Sequence, residues 1–246
     1  MTVSPLILPW LAVGTPLGAC VGSFLGTAAR RAAAGEEFLS GRSRCDACGV
    51  SLSYAATIPL ASFLIRRGRC EHCNGAIALT HPGAELAGAL VVGLSVLFAP
   101  PSLWGPLIAV GWLLVFLAVY DLATLRLPDA GSGMIAAGGL LIAAWRGDLE
   151  PQLLVGTVVL VVLLGVTRAF AAARGRVGLG GGDVKLLAAL ATWTGATLTP
   201  VALVLAASAA LVWMATQGTL RTQARLAFGP FIAAAFWPVI LGRLAA

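Results

Sequence analysis

Four cysteines in this sequence have the type and spacing that a metal site requires. Cys45, Cys48, Cys70 and Cys73 form two Cys-x-x-Cys pairs. Four thiolates can surround one zinc ion tetrahedrally, and a site with four protein ligands keeps no open position for catalysis. The spacing therefore predicts a structural zinc site. Two disulfides or a redox pair are the alternatives, and the reducing compartment inferred below disfavours disulfides.

The predicted zinc site falls in residues 30–82, which form the only long polar segment. A segment of this size gains most of its folding free energy from such a metal. Gly49 and Gly75 follow the two cysteine pairs closely, and we expect them to supply the positive φ of tight metal knuckles. His72 and His81 are expected to be surface or interface residues rather than ligands.

Two aspartates form the second group with chemical potential. Asp121 closes the apolar run WLLVFLAVYD, and Asp183 opens DVKLLAALATW. Ionisable groups at membrane segments are costly and indicate functional sites. If helix packing brings the two carboxylates together, one keeps a proton while the other is ionised, which suits aspartyl hydrolysis of a peptide. Alternatively, each pairs with Arg126 or Lys185 to anchor a helix end, or Asp183 is a helix N-cap.

A glycine run lies directly before Asp183. It contains Gly178, Gly180, Gly181 and Gly182. Such a run is usually a flexible hinge, but it also lets an extended substrate strand approach the backbone without side-chain obstruction. A protease must bind its scissile segment extended because a helix hides its carbonyls. The glycines therefore favour the hydrolytic interpretation of the neighbouring aspartate.

The elements that must position these residues are apolar helices. The chain has 246 residues, of which 59% are hydrophobic and 11% are charged, whereas a soluble domain has about 25% charged residues. Several uncharged stretches have the ~18 residues needed to cross a bilayer. The fold class is therefore all-α and polytopic, with about eight transmembrane helices. The apolar segments are 5–29, 83–100, 102–120, 130–145, 151–173, 183–195, 197–216 and 226–244.

The placement of basic residues predicts the orientation. If residues 30–82 lie in the cytosol and sides alternate, only Arg146 and Arg243 are outside, and the other fourteen of the sixteen basic residues are inside. Arg221 is one of the fourteen. This asymmetry is the positive-inside pattern of a multi-pass membrane protein. It accounts for the net charge of +6 without nucleic acid, and it places the zinc segment, Asp121 and Asp183 on the cytosolic side of the membrane.

These motifs together resemble the bacterial type IV prepilin leader peptidases, the GxGD class of integral membrane aspartic proteases. The resemblance covers nearly the whole chain in order. The matching stretches are GSFL at 22–25, the cysteine-containing segment 42–86, DLATLRLPD at 121–129, GGGDVKLLAALATW at 180–193 and FGPFIAAA at 228–235.

The resemblance implies cleavage of short basic leaders from type IV prepilins or pseudopilins, after a glycine at the cytosolic membrane face. It makes Asp121 and Asp183 the catalytic pair, with Gly180, Gly181 and Gly182 in support. Lys185 is expected to tune Asp183 or orient its loop, and Asp129 is expected to cap a helix.

The same resemblance implies three functional divisions of the chain: a first transmembrane helix at 1–29, a cytosolic zinc-knuckle domain at 30–82 and a membrane protease domain at 83–246. Many members also methylate the new N-terminus with S-adenosylmethionine. Here Gly26 stands where that family usually has Asn, whereas Glu85 is retained.

Two other functions fit parts of the pattern. A proton-coupled transporter would use intramembrane aspartates, although these acids are predicted at one membrane face rather than at the midplane. A scaffold presenting a zinc knuckle would have no use for the aspartates. Membrane lipid and a prepilin or pseudopilin are the expected partners, and the sequence does not predict an oligomeric state.

Overall fold

The computed structural model describes residues 7–37, 41–218 and 225–245. In these residues the chain is helical, with isolated bridges but no strands, which confirms the predicted all-α class. The helices are α1 (Ile7–Ala33), α2 (Ala61–Ile65), α3 (Thr80–Phe98), α4 (Pro101–Thr124), α5 (Asp129–Arg146), α6 (Leu149–Arg174), α7 (Gly181–Thr216) and α8 (Gly229–Ala245), with a 3₁₀ turn at Tyr54–Thr57.

The predicted apolar segments coincide with these helices, except that residues 99 and 100 follow α3 and residues 226–228 precede α8. Residues 5 and 6 and Arg221 lie outside the described residues. Helices α1, α3, α4, α6 and α7 are long and apolar enough to cross a membrane, and α8 is a shorter apolar helix. The chain is thus a multi-pass membrane protein.

The chain divides into two compact units, Met1–Val119 and Tyr120–Ala246. The first contains the cysteine pairs, and the second contains Asp121 and Asp183. The division at residues 30 and 83 expected from the family resemblance is a functional one and stays a prediction.

A glycine stripe joins α1 to α3 in the first unit. Gly18 and Gly22 of α1 face Gly88 and Ala84 of α3 so closely that a Cβ on Gly22 would collide with the Ala84 carbonyl oxygen. Small residues at four-residue spacing let membrane helices approach in this way. Gly26 continues the stripe, because its Cβ would lie 2.9 Å from the Ala84 Cβ. The tight packing explains why a small residue stands at position 26.

The core of the second unit is the first part of α7. Every residue from 186 to 195 is buried, and α7 packs against α5, α6 and α8. Gly195 has φ 73° and ψ 178°, which interrupts α7, so the long helix consists of the two apolar segments 183–195 and 197–216 of the sequence. Arg243 donates to the Trp193 carbonyl at this interruption and lies 3.1 Å from Asp148.

Candidate active site and metal centre

Asp121 lies in the last turn of α4 and is 4% exposed. Its Oδ2 accepts a hydrogen bond from the backbone N–H of Gly229, the first residue of α8, at 2.7 Å. A Cβ at position 229 would lie 2.8 Å from this oxygen. Glycine is therefore required where the start of α8 meets the Asp121 carboxylate.

Asp183 lies in the first turn of α7 and is half-buried. The N-cap of α7 is Gly180, so the alternative that Asp183 is itself the N-cap is wrong. From the third helical position, the Asp183 carboxylate reaches back towards the Gly180 backbone N–H, which satisfies one of the free donors at the helix start. Gly182 packs against Leu127 in the loop before α5.

The two aspartates lie within range of each other's charge in the second unit. Among the described residues, neither forms an ion pair with Arg126 or Lys185. This contradicts the alternative that each acid anchors a helix end through its neighbouring base. The two carboxylates thus interact electrostatically at helix ends, an arrangement that can exchange protons with a bound water.

Lys185 pairs with Asp129 instead. The Nζ atom lies 2.7 Å from both carboxylate oxygens of Asp129, and both side chains are largely exposed. Asp129 is the first residue of α5, and the N-cap is Pro128, without a side-chain capping bond. The expectation that Asp129 caps this helix is therefore wrong, because its carboxylate contacts the first turn of α7 instead.

The glycines before Asp183 are not equivalent. A Cβ on Gly181 would meet nothing within 4 Å, whereas one on Gly180 would lie 2.9 Å from Asp183 Oδ2. Gly178 packs under the Phe170 ring, with 3.0 Å between its ideal Cβ and the ring. The open side at Gly181 is where an extended strand could approach the backbone.

The four cysteines come together in the first unit. Their sulfur atoms all lie within 4.8 Å of one another, and the sulfurs of Cys45 and Cys73 are 3.9 Å apart. Tetrahedral zinc with Zn–S bonds of about 2.3 Å holds its sulfurs about 3.8 Å apart. None of the four is paired in a disulfide, so the geometry fits one metal ion.

The two cysteine knuckles are built alike. Cys45 N–H donates to Val50 O and Cys70 N–H donates to Gly75 O, both at 2.9 Å. Gly49 has φ 72°, as expected, but in the second knuckle Asn74 has the positive φ of 57°. The expectation for Gly75 is therefore wrong. Gly75 provides close approach instead, because its Cβ would lie 3.1 Å from Ala47 and 3.2 Å from the Cys73 sulfur.

Backbone donors favour the metal-binding form of one cysteine. The N–H groups of Cys73 and His72 lower the pKa of the Cys70 thiol to about 6. A thiolate is the form that binds a metal. The histidines are not part of the cluster, in agreement with the expectation that they are not ligands.

Polar contacts tie the first knuckle to the membrane helices of the first unit. Asp46 Oδ2 lies 2.8 Å from Arg30 at the end of α1 and 3.1 Å from His81 at the start of α3, and Arg30 also contacts His81. Partial burial alone would raise the pKa of Asp46, but hydrogen bonds from His81 and Arg30 hold it below its usual value. His81 is thus an interface residue, as predicted.

Glu85 makes a second link between the same elements. It is 9% exposed, and its two oxygens accept hydrogen bonds from Ser23 of α1 at 2.8 Å and from the Leu60 backbone N–H at 2.7 Å. Neither this role nor that of Gly229 was predicted. The stretches PGAEL and FGPF were visible in the sequence, but partners so distant in the chain were not.

A cavity of about 610 Å³ lies in the first unit between the knuckles and the ends of α1 and α3. It is large enough for a small organic ligand. Charged residues of both signs line it, including Arg30, Arg44, Glu36 and Glu85. The lining suits a ligand that carries charges of both signs.

Comparison with known proteins agrees with these two parts of the chain. The family model described as Bacterial Peptidase A24 N-terminal domain matches residues 17–99, and the model described as Type IV leader peptidase family matches residues 108–215. No solved structure matches significantly.

Curated proteins named prepilin leader peptidase/N-methyltransferase are similar over most of the chain. The protein of Burkholderia pseudomallei (strain 1026b) is 36% identical over 78% of this chain, which spans 64% of that relative's length. The protein of Aeromonas salmonicida (strain A449) is 33% identical over 81% of this chain and 71% of its own length. The protein of Dickeya chrysanthemi is 37% identical over 78% of this chain and 70% of its own length. The chain belongs to the type IV leader peptidase family.

Proposed function

We propose that this protein is a membrane aspartic endopeptidase that cleaves the short basic leader of type IV prepilins or pseudopilins after a glycine. One observation carries the proposal: Asp121 and Asp183 lie within range of each other's charge, while the nearby Lys185 is engaged by Asp129. Family membership supports the substrate class, because the similar relatives are named prepilin leader peptidases.

In the proposed mechanism, one aspartate is ionised and the other is protonated. The ionised carboxylate takes a proton from a water molecule, whose oxygen attacks the scissile carbonyl carbon. The protonated carboxyl donates its proton to the carbonyl oxygen. The tetrahedral intermediate then collapses as the C–N bond breaks. The departing amine takes the proton held by the first carboxyl, and a hydroxyl of the intermediate returns a proton to the second carboxylate, which restores the starting pair. The Gly229 N–H holds the Asp121 carboxylate in position for this exchange.

The charge distribution supports cleavage at the cytosolic face. Arg30 and Arg31 end α1, and Arg174 ends α6, consistent with the asymmetry that predicts a cytosolic active site and zinc segment. A basic leader also stays on the cytosolic side, because positively charged segments beside membrane helices are retained there. The enzyme and its substrate therefore meet at the inner surface of the bacterial cytoplasmic membrane.

The decisive experiment uses the full chain in detergent with a prepilin that carries a short basic leader. Asp121→Asn and Asp183→Asn should each lower cleavage by about 10²–10⁴-fold, since each removes a proton-transfer group. Asp129→Asn is the matched control, because it alters an aspartate of the same unit whose partner is Lys185, and should cleave nearly normally. Parental cleavage by either Asp121→Asn or Asp183→Asn would reject the assignment of that residue.

We also propose that Cys45, Cys48, Cys70 and Cys73 bind a structural zinc ion. The ion would fasten the two knuckles to each other, and its closed set of four sulfurs gives it no part in peptide hydrolysis. Cys73→Ser should lose the metal in elemental analysis of the purified protein. Cys20→Ser is the control, because Cys20 lies in α1 outside the cluster. Full zinc content in Cys73→Ser would contradict a four-cysteine site.

The charged cavity of the first unit supports a second activity, N-methylation of the new N-terminus. S-adenosylmethionine would supply an electrophilic methyl group there. Its carboxylate and amine suit the arginine and glutamate side chains of the lining, such as Arg44 and Glu36. The product mass should rise by one methyl group when the donor is present, and by none in its absence. An unchanged product mass with the donor present would reject the methylation proposal but not the peptidase proposal.

A further inference from the structure

The first unit exposes an unusually apolar surface next to its membrane helices. We call it the apolar ridge and define it as residues 54–65 together with Leu79. Tyr54, Leu64, Ile65 and Leu79 are 72–85% exposed. Large apolar side chains clustered on a surface indicate a contact with another apolar phase.

A partly buried hydrogen bond fixes the ridge at one end of α3. The Leu60 N–H donates to Glu85, which lies in the second turn of that helix. Leu60 has φ 58°, and the flanking Ala61 N–H donates to Pro59 O at 2.6 Å, a tight turn that leucine rarely adopts. The ridge is therefore fixed against α3 and does not move freely.

The length of α3 determines where the ridge lies relative to the bilayer. Its 19 residues span about 28 Å at 1.5 Å per residue, which is close to the ~30 Å hydrocarbon core of a bilayer. The start of α3 must then lie at the boundary between lipid and water. Because Leu60 is bonded to the second turn of α3, the ridge lies at the same boundary.

The charges beside the ridge identify the phase it contacts. Arg66, Arg67 and Arg69 follow Ile65 directly, and the Arg42 guanidinium lies 5.3 Å from the centre of the Tyr54 ring. Apolar side chains flanked by arginines are typical of segments that bind the surface of an anionic membrane. A basic prepilin leader would be repelled by the same arginines, so charge favours lipid over substrate.

We propose that the apolar ridge is a membrane-docking surface that lies in the headgroup region of an anionic bilayer. Leu64 and Ile65 enter the boundary of the acyl chains, and Arg67 and Arg69 face lipid phosphates. Docking fixes the orientation of the cysteine knuckles, which stay in water beside the ends of α1 and α3. This role is independent of peptide cleavage and of methylation.

The test places a photo-crosslinking benzoylphenylalanine at Ile65 of the full chain in nanodiscs of phosphatidylcholine and phosphatidylglycerol. After illumination, mass spectrometry should find lipid adducts at this position. The matched control carries the same group at Ala47, which is exposed in the first knuckle between polar neighbours, and should give none. Unchanged thermal midpoints establish that both labelled proteins are folded.

Four results would overturn the proposal. Adducts at Ile65 with added prepilin but not with lipid would make the ridge a substrate-docking surface. Absence of any lipid adduct at Ile65 would place the ridge in water, and equal lipid adducts at Ile65 and Ala47 would show that lipid contact is not specific to the ridge. In the charge arm, Arg67→Gln/Arg69→Gln should reduce the adduct yield at Ile65 at least about two-fold in anionic nanodiscs. An undiminished yield would overturn the assignment to anionic lipid.

Discussion

Acidic side chains lie near helix ends in both units, but they have different partners. In the first unit, both oxygens of Glu85 are occupied by neutral donors from separate elements, and Asp46 faces Arg30 and His81. In the second unit, Asp121 and Asp183 are held by the backbone N–H groups of glycines. The first arrangement fixes elements to each other, whereas the second positions carboxylates without neutralising them.

Glycines show the same contrast between the units. Gly22 in the first unit lets one helix approach another, and Gly229 in the second unit makes room for a carboxylate. A side chain at either position would collide with a neighbour, but the neighbour is a helix backbone in one case and the Asp121 carboxylate in the other. Substitutions at the two glycines should therefore damage different properties.

Among the glycine substitutions, Gly229→Ala should produce the largest effect on cleavage. Its Cβ would lie 2.8 Å from Asp121 Oδ2 and 3.1 Å from Asp121 Cβ, so the carboxylate must move. A misplacement of about 1 Å in a catalytic group can cost about 100-fold in rate. Cleavage of a prepilin by the purified variant measures this loss. Gly242→Ala, in the same helix with nothing within 4 Å of its Cβ, should cleave normally; equal rates for both variants would remove the role of Gly229.

Gly22→Ala should reduce stability rather than catalysis. The new methyl group would meet the Ala84 carbonyl and the Glu85 Cα, and overpacking of this kind costs about 1–3 kcal/mol. The thermal midpoint in detergent should fall, while cleavage per folded molecule at low temperature stays near the parental rate. Gly105→Ala is the control, since its Cβ has nothing within 4 Å, and should not lower the midpoint. An unchanged midpoint for Gly22→Ala would mean that the α1–α3 contact relaxes without cost.

Glu85→Gln sharpens the comparison between the two kinds of acid. The amide oxygen can still accept from the Leu60 N–H, and the amide N–H can donate to the Ser23 hydroxyl, which also accepts hydrogen bonds. Two hydrogen bonds to a charged group thus become two neutral ones, which costs about 1 kcal/mol. Denaturation of the variant should show this loss, with no change in cleavage per folded molecule. A loss of cleavage without a loss of stability would instead make Glu85 a reactive acid.

Most of the helical framework could be predicted from the sequence because apolar length and charge asymmetry are local properties. The predicted break between segments 183–195 and 197–216 coincides with the positive φ of Gly195. The metal cluster could be predicted as well, since two Cys-x-x-Cys pairs fix four ligands before any folding is considered. In both cases, the pattern of neighbouring residues carries the information.

Partners distant in the chain could not be predicted in the same way. Lys185 lies two residues after Asp183, yet it pairs with Asp129 because the first turns of α5 and α7 face each other. Gly229 and Asp121 are 108 positions apart, and no periodicity connects them. Asn74 takes the left-handed conformation beside a glycine that could have taken it. These choices depend on packing, which the sequence pattern alone does not specify.

The smallest effect is expected at the pair of Lys185 and Asp129. Their side chains are 48% and 72% exposed, and an exposed ion pair contributes about 0–1 kcal/mol. A double-mutant cycle with Lys185→Gln and Asp129→Asn should give a coupling of about 0.5 kcal/mol in stability.

The same cycle, measured as cleavage against pH, separates two roles for the lysine. If Lys185 only binds Asp129 and does not affect Asp183, both single variants and the double variant should keep the parental pH profile. If Lys185 instead tunes Asp183, Lys185→Gln alone should shift the profile, because it removes a positive charge two residues from that carboxylate. A shift common to both single variants would show that the ion pair positions the start of α7, and so extends the contrast between anchoring and reactive acids to a pair within the second unit.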